Sequence, residues 1–87
     1  MPNYKIIYSR QAQDFLEEAD KKVSLQIFKK IEILYQNPYN NNLDVKKLKN
    51  DLGYRLRVGD YRIIYKILNF ELIIEVIKIG HRKDIYE

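Results

Sequence analysis

Three arginines recur near the middle of the chain at positions where chemistry on a phosphate group is possible. Arg55 and Arg57 alternate with apolar neighbours, which is the two-residue period of a β-strand with one apolar and one charged face. Gly59 and Asp60 then form a two-residue turn, after which the chain returns through Arg62. The sequence therefore predicts a β-hairpin that holds guanidinium groups rigidly, which suits a polyanion.

The C-terminal segment adds His81 and Tyr86, two side chains that could transfer protons. Cleavage of RNA without a metal requires a base for the ribose 2′-hydroxyl, cations for the phosphorane, and an acid for the leaving 5′ oxygen. Imidazole suits acid–base chemistry near neutral pH, whereas a phenol becomes a base only beside cations that favour the phenolate. Together with the arginines, these residues are sufficient for that reaction.

Each of these residues also has an ordinary structural interpretation. Tyr86 could simply anchor the C-terminal segment, and His81 could be a solvated surface residue. Arg62, which lies near two tyrosines, could serve only to stack. Arg55 and Arg57 could form ion pairs with nearby carboxylates, those of Asp51, Asp60 or Glu75.

Other catalytic chemistries find little support in the sequence. There are no cysteines, so disulfides and thiolate metal sites are excluded. His81 is the single histidine and has no partner at metal-ligand spacing. Neither Ser9 nor Ser24 lies on a nucleophile elbow, and the three glycines are isolated. We therefore expect neither a metal nor another cofactor.

The positive charge is concentrated in the second half of the chain. The formal net charge is +4, and residues 1–45 carry six residues of each sign, whereas residues 46–87 carry ten basic and six acidic residues. The steepest excess lies in residues 46–66, whose cations are Lys46, Lys47, Lys49, Arg55, Arg57, Arg62 and Lys66. Such a patch favours phosphate, although a solvated lysine-rich surface would explain the lysines equally well.

Length and composition indicate a single folded domain over residues 1–87, with 46% hydrophobic residues. No apolar run approaches the about 20 residues that span a bilayer, and the N-terminus lacks a signal-peptide pattern. A cytoplasmic protein without a membrane partner is therefore expected.

The order of the predicted elements is β-α-α-β-β-β. Tyr4–Tyr8 alternates as a first strand, and Ser9 can cap the helix that follows. Helical spacing predicts two helices with a break near Ala19–Asp20, the second ending before Pro38. Leu72–Ile79 is aliphatic on both faces, which predicts a central strand.

These elements predict an α+β fold in which a helical hairpin covers one face of an antiparallel sheet. The last three strands form a meander, and the first strand joins the sheet at an undetermined place. Residues 43–48 are interpreted as a short turn with exposed lysines. The uncovered face, or part of it, is left for Arg55, Arg57 and Arg62.

The hairpin and the C-terminal segment together resemble the RelE branch of the RelE/ParE toxin superfamily. The residues that carry the resemblance are Lys46–Lys49, Tyr54–Tyr65 and Gly80–Tyr86, the last with the pattern G-H-R-x-x-x-Y. The resemblance covers essentially the whole chain. It implies a RelE-like fold and a type II toxin that cleaves mRNA in the ribosomal A site. The implied partners are the ribosome, mRNA and an acidic antitoxin that folds as it binds.

The resemblance also implies a role for each site residue. Arg62 matches an arginine that holds the scissile phosphate, and Arg82 matches one that stabilises the transition state or leaving group. Tyr86 matches a tyrosine of base catalysis or stacking, and His81 lies where family members vary. The implied RNA-binding residues are Lys47, Lys49, Arg55 and Arg57.

The chain departs from the family at Arg55 and Arg57, where well-known members carry lysine. Arginine keeps the charge but is a poor proton donor or acceptor, so any acid–base role would pass to His81, Tyr86 or Lys49. Two other functions remain open, a ParE-like gyrase inhibitor and a non-catalytic module that binds an antitoxin or nucleic acid.

Overall fold

The computed structural model describes residues 4–85 and contains two helices and five strands within that range. In chain order these elements are β1 (Lys5–Tyr8), α1 (Arg10–Glu18), α2 (Lys21–Gln36), β2 (Val45–Lys47), β3 (Tyr54–Val58), β4 (Tyr61–Leu68) and β5 (Ile73–His81). The predicted α+β fold with a helical hairpin against a sheet is confirmed.

Side-chain hydrogen bonds fix the beginning of α1 and the bend between the helices. The Oγ of Ser9 accepts a hydrogen bond from the backbone N–H of Ala12 at 3.1 Å, which confirms Ser9 as the N-cap. The same hydroxyl donates to the carbonyl of Ile77 at 2.6 Å and so ties α1 to β5. The chain becomes extended at Ala19, and the Oγ of Ser24 donates to the carbonyl of Leu16 at 2.8 Å across the bend.

The sheet has the strand order β1-β5-β4-β3-β2. Strands β3, β4 and β5 form antiparallel pairs, as predicted for the meander. Strand β2 adds a further antiparallel pair with β3, whereas β1 pairs parallel with β5. The sheet is therefore mixed, and β5 is an interior strand as its aliphatic sequence predicts.

One segment differs from its predicted structure. Residues 43–48 were expected to form only a turn, but Val45–Lys47 form the edge strand β2 against β3. The strand is short because the carbonyl of Gly53 accepts from the N–H of Leu48 and closes the connection to β3. A short edge strand with exposed lysines also limits pairing with other chains.

The core lies between the helical hairpin and one face of the sheet. α2 contributes Ile27, Ile31 and Leu34, each no more than 1% exposed. They pack with residues of the facing strands, among them Leu56, Ile63, Tyr65, Ile74, Val76 and Ile79. The other face of the sheet has no helix over it in residues 4–85, and this face carries the arginines. No helix in the described range is long and apolar enough to cross a membrane.

Candidate functional site: an arginine cluster at one end of the sheet

Two arginines face each other across neighbouring strands on the uncovered side of the sheet. Arg57 of β3 lies directly opposite Arg62 of β4, because the tight turn at Gly59–Asp60 sets that register. Gly59 has a φ of +57°, a conformation that glycine adopts without strain. Like charges placed directly opposite destabilise a sheet, so this pair indicates a site for an anion that offsets the repulsion.

The guanidinium of Arg62 is held in place by the hairpin turn. Its Nη1 donates to the carbonyl oxygens of Gly59 at 2.8 Å and Tyr61 at 2.9 Å. Neither Nε nor Nη2 makes a hydrogen bond to another residue of the 4–85 range. The turn therefore orients the guanidinium and leaves donors for a phosphate oxygen.

Other charges around Arg62 show that the cluster extends to both neighbouring segments. Loss of hydration lowers the pKa of the Arg62 guanidinium, and the positive charges of Arg57, Arg55 and Arg82 lower it further. The carboxylate of Asp44 opposes this shift. Arginine stays protonated in spite of such shifts, so the four guanidinium groups form a concentrated positive site.

Arg82 approaches this site from the C-terminal segment and contacts the same hairpin turn. Its backbone N–H donates to the carbonyl of Asp60 at 2.8 Å, which fixes the chain beside the turn. Its Nε lies 4.0 Å from Oδ1 of Asp60, in a pair whose side chains are both largely exposed. Such an exposed pair is weak and can yield to a phosphate.

A close contact between Gly80 and Ile85 folds the C-terminal segment back onto the sheet. A Cβ added to Gly80 would lie 3.0 Å from Cδ1 and 3.2 Å from Cγ1 of Ile85. Gly80 is also the β5 residue paired with Arg62, and Ile85 is only 9% exposed. The glycine therefore provides the room in which Ile85 anchors the segment beside Arg62.

His81 lies on the opposite side of the sheet from Arg62. It pairs with Tyr61, and the two rings make an edge-to-face contact with centroids 5.6 Å apart. Strict alternation from Val76 would put His81 on the arginine face, but a β-bulge opposite Ile64/Tyr65 shifts the pattern by one residue. The Nδ1 of His81 accepts from the backbone N–H of Lys83 at 3.2 Å, so Nε2 is the atom left for a ligand.

The predicted lysines do not join the arginine cluster. Lys47 pairs with Tyr54, whose ring stacks on Tyr65 of the core, so the register places Lys47 on the helix side of the sheet. Lys49 is exposed beyond the end of β2. Lys46 instead lies opposite Arg55, next to the cluster.

Three residues near the site were not among the predicted site residues: Asp44, Lys46 and Asp60. Lys46 was recognised only as part of the basic patch, because the register of β2 could not be seen in a segment interpreted as a turn. Asp60 was considered as a partner of the strand arginines, and the structure places it near Arg82 instead. Tyr86 lies outside the described residues.

The cluster can bind a phosphate and stabilise negative charge that develops on it, because the turn holds the Arg62 donors and the charges of Arg55, Arg57 and Arg82 act on the same place. Acid–base groups would have to come from its margins. Residues 4–85 contain no group of three or more His, Cys, Asp or Glu side chains placed to hold a metal ion.

The fold and the site define a small RelE-type protein, and comparison with solved structures agrees. The chain superposes on RelE in the crystal structure of the archaeal RelE–RelB complex from Pyrococcus horikoshii with a TM-score of 0.80 and 26% identity. The match covers 97% of this chain and 100% of the other.

Sequence comparison gives the family. The profile for the ParE toxin of the type II toxin–antitoxin system parDE matches residues 6–86, so the chain belongs to this RelE/ParE toxin family. Toxin RelE1 of Methanocaldococcus jannaschii is 39% identical over 67 residues, which are 74% of each chain. A RelE-like toxin protein of Escherichia coli is 26% identical over 85 residues, covering 95% of this chain and 90% of that protein.

Proposed function

We propose that this toxin is a ribosome-dependent endoribonuclease that cleaves mRNA in the A site by attack of the ribose 2′-hydroxyl on the neighbouring phosphate. The observation that supports it most is the opposition of Arg57 and Arg62 within the wider cluster that includes Arg55 and Arg82. Four cations concentrated beside an exposed strand end favour a substrate that brings its own negative charge.

In the proposed reaction Arg62 holds the scissile phosphate through the donors that the turn leaves unoccupied. Arg82 stabilises the charge on the phosphorane and on the leaving 5′ oxygen, replacing its exposed contact with Asp60. The proton of the 2′-hydroxyl passes to a base and another proton reaches the 5′ oxygen, and we assign one of these transfers to Tyr86. His81 lies on the opposite side of the sheet from Arg62, so its part in the other transfer requires the RNA to pass around the strand ends.

A purified translation reaction tests this proposal by mapping cut sites in mRNA on stalled ribosomes. We expect cuts within the A-site codon, and we expect Arg62→Ala to abolish them because the phosphate loses its oriented donor. Arg10→Ala is the matched control, since Arg10 is exposed on α1 and pairs only with Asp14 within the described range. Uncut mRNA with the wild-type chain, or full activity of Arg62→Ala, would refute the assignment.

A second candidate function follows from the family match, because the matching family is described as the ParE toxin of parDE and not as RelE. A gyrase inhibitor with this fold would leave mRNA intact and block DNA supercoiling. Running a supercoiling assay beside the ribosome assay separates the two functions.

We also propose that the chain binds a cognate antitoxin, as the RelE of the Pyrococcus horikoshii complex binds RelB. The chain exposes apolar side chains that a partner could cover, including Leu25 at 50% and Phe28 at 42%. An acidic segment that folds on binding would also neutralise the arginine cluster. Co-expression with the adjacent reading frame should yield a stable heteromer, and a lone chain that cells tolerate would argue against it.

A further inference from the structure

A cavity of about 340 Å³ lies where the bend of the helical hairpin meets the ends of β4 and β5. Its walls include Phe15, Val23, Tyr61 and His81, and its rim carries Glu18 and Asp20. We refer to this cavity as the aromatic slot. It lies on the helix side of the sheet, and His81 is the one lining residue within the 4–85 range to which the reaction proposed above gives a role.

Aromatic rings with partial exposure line the slot in a continuous series. Phe15 and Tyr61 meet edge to face with centroids 5.9 Å apart, and Tyr61 and His81 meet in the same way at 5.6 Å. None of the three rings is fully buried, so each offers surface to a ligand. A planar ligand can stack on such rings, and every nucleobase has a face that does so.

The slot is next to the arginine cluster along both strands. Tyr61 directly precedes Arg62, and His81 directly precedes Arg82. Tyr61 and Arg62 point to opposite faces of β4, and Arg82 follows the last residue of β5, so the slot and the cluster lie on two sides of the same strand ends. A ribonucleotide chain that passes around the hairpin end can therefore contact both.

Resting on the proposed function, we propose that the aromatic slot binds a nucleobase adjacent to the scissile phosphate. The carboxylates of Glu18 and Asp20 accept hydrogen bonds, which favours bases with an exocyclic amino group over uracil. Those carboxylates also disfavour an acidic antitoxin segment in the same place. The slot thus contributes to substrate choice, while the arginines hold the backbone.

A double-mutant cycle tests the slot without any cleavage step. The probes are a single-stranded 2′-O-methyl RNA, which cannot be cut, and a series of the same oligonucleotide in which a different single position is abasic in each member. We expect Phe15→Leu to weaken binding of the intact probe about tenfold, because stacking is lost while apolar bulk stays. For the probe that is abasic at one particular position, the affinity of the wild type should also fall about tenfold. Phe15→Leu should then cause no further loss of affinity for that probe.

Two further variants make the result specific to the slot. Phe28→Leu is the matched control, because Phe28 is an aromatic residue of α2 outside the slot and 42% exposed. The affinity of Phe28→Leu for the intact RNA probe should equal that of the wild type. Tyr61→Leu should repeat the effect of Phe15→Leu and serves if the latter fails to fold. The slope of log Kd against log salt should stay unchanged in both slot variants and decrease in Arg62→Ala.

Each contrary outcome is distinct. Base binding in the slot would be refuted if the wild type failed to bind the intact probe at low salt. It would also be refuted if every abasic position lowered the affinity equally. Weakened binding of an antitoxin peptide by Phe15→Leu, with RNA affinity unchanged, would assign the cavity to the partner instead. If the cycle shows coupling but mRNA on ribosomes stays intact, base binding in the slot is supported and the proposed endonuclease activity is rejected. If mRNA is cleaved but the cycle shows no coupling, the endonuclease activity is supported and base binding in the slot is rejected.

Discussion

Replacing Gly80 by alanine should lower the proposed mRNA cleavage through the position of the C-terminal segment rather than through loss of any polar group. The added Cβ would lie 3.0 Å from Cδ1 of Ile85 and 3.2 Å from Cγ1, both closer than ordinary van der Waals contact. Ile85 must then move by a few tenths of an ångström. Because the contacted atoms belong to a flexible side chain, we expect a stability loss of only about 1 kcal/mol.

The expected effect on catalysis is larger than the effect on stability. A misplacement of about 1 Å can cost about 100-fold in rate, so a shift of a few tenths of an ångström should lower kcat about three- to tenfold. Arg82 belongs to the segment that moves, whereas Arg62 is held by its own turn. Substrate affinity should therefore change less than kcat.

Single-turnover cleavage on programmed ribosomes, with unfolding curves for the same samples, provides the measurement. Ile85→Val removes Cδ1, the atom nearest to the added methyl group, so Gly80→Ala/Ile85→Val should recover much of the lost rate. Full activity of Gly80→Ala, or a double variant slower than both single variants, would refute the positioning role of this contact.

Three further changes have outcomes that the structure determines. Burial raises the pKa of the Tyr65 phenol, helped by Tyr54 and Tyr39, and its hydroxyl has no hydrogen-bond partner in the described chain. Tyr65→Phe should therefore raise the free energy of unfolding by about 1 kcal/mol at pH 7. The wild type loses stability as pH rises above about 10, because the phenol then ionises more readily in the unfolded chain. The advantage of Tyr65→Phe should therefore grow by about 1.4 kcal/mol per pH unit in that range, as denaturant titrations would show. Ser9→Ala removes the cap of α1 and the bond to Ile77, and should cost about 1–2 kcal/mol in the same assay. Asp60→Asn should tighten RNA binding a few-fold by removing a carboxylate beside Arg82, with stability changed by less than about 0.5 kcal/mol, as anisotropy titrations and unfolding curves would test.

The hairpin and the helices could be predicted from the sequence because their signals are local. The alternation around Arg55 and Arg57 and the glycine turn specify a hairpin within a few residues, and the structure confirms it. The cap at Ser9 and the break at Ala19 are equally local. Such features depend on neighbouring residues and need no knowledge of the tertiary fold.

The features that escaped prediction depend on contacts between distant residues. Strand β2 exists because Gly53, with a φ of +101°, returns the chain closely against β4, where a side chain would collide with the carbonyl of Tyr65. The parallel register of β1 is set only once β5 is present. The side occupied by His81 depends on a bulge in β5, and a single bulge reverses every side chain beyond it.

The parallel pairing of β1 with β5 has a consequence for the synthesis of the protein. The hydroxyl of Ser9 and the carbonyl of Ile77 that close this end of the sheet are 68 residues apart, so the first strand waits for the last one before it can pair. The strand that completes the sheet contains Gly80 and leads directly into Arg82. A nascent chain on its own ribosome therefore gains a finished fold and a finished arginine cluster together, and only after β5 and Arg82 have been synthesised.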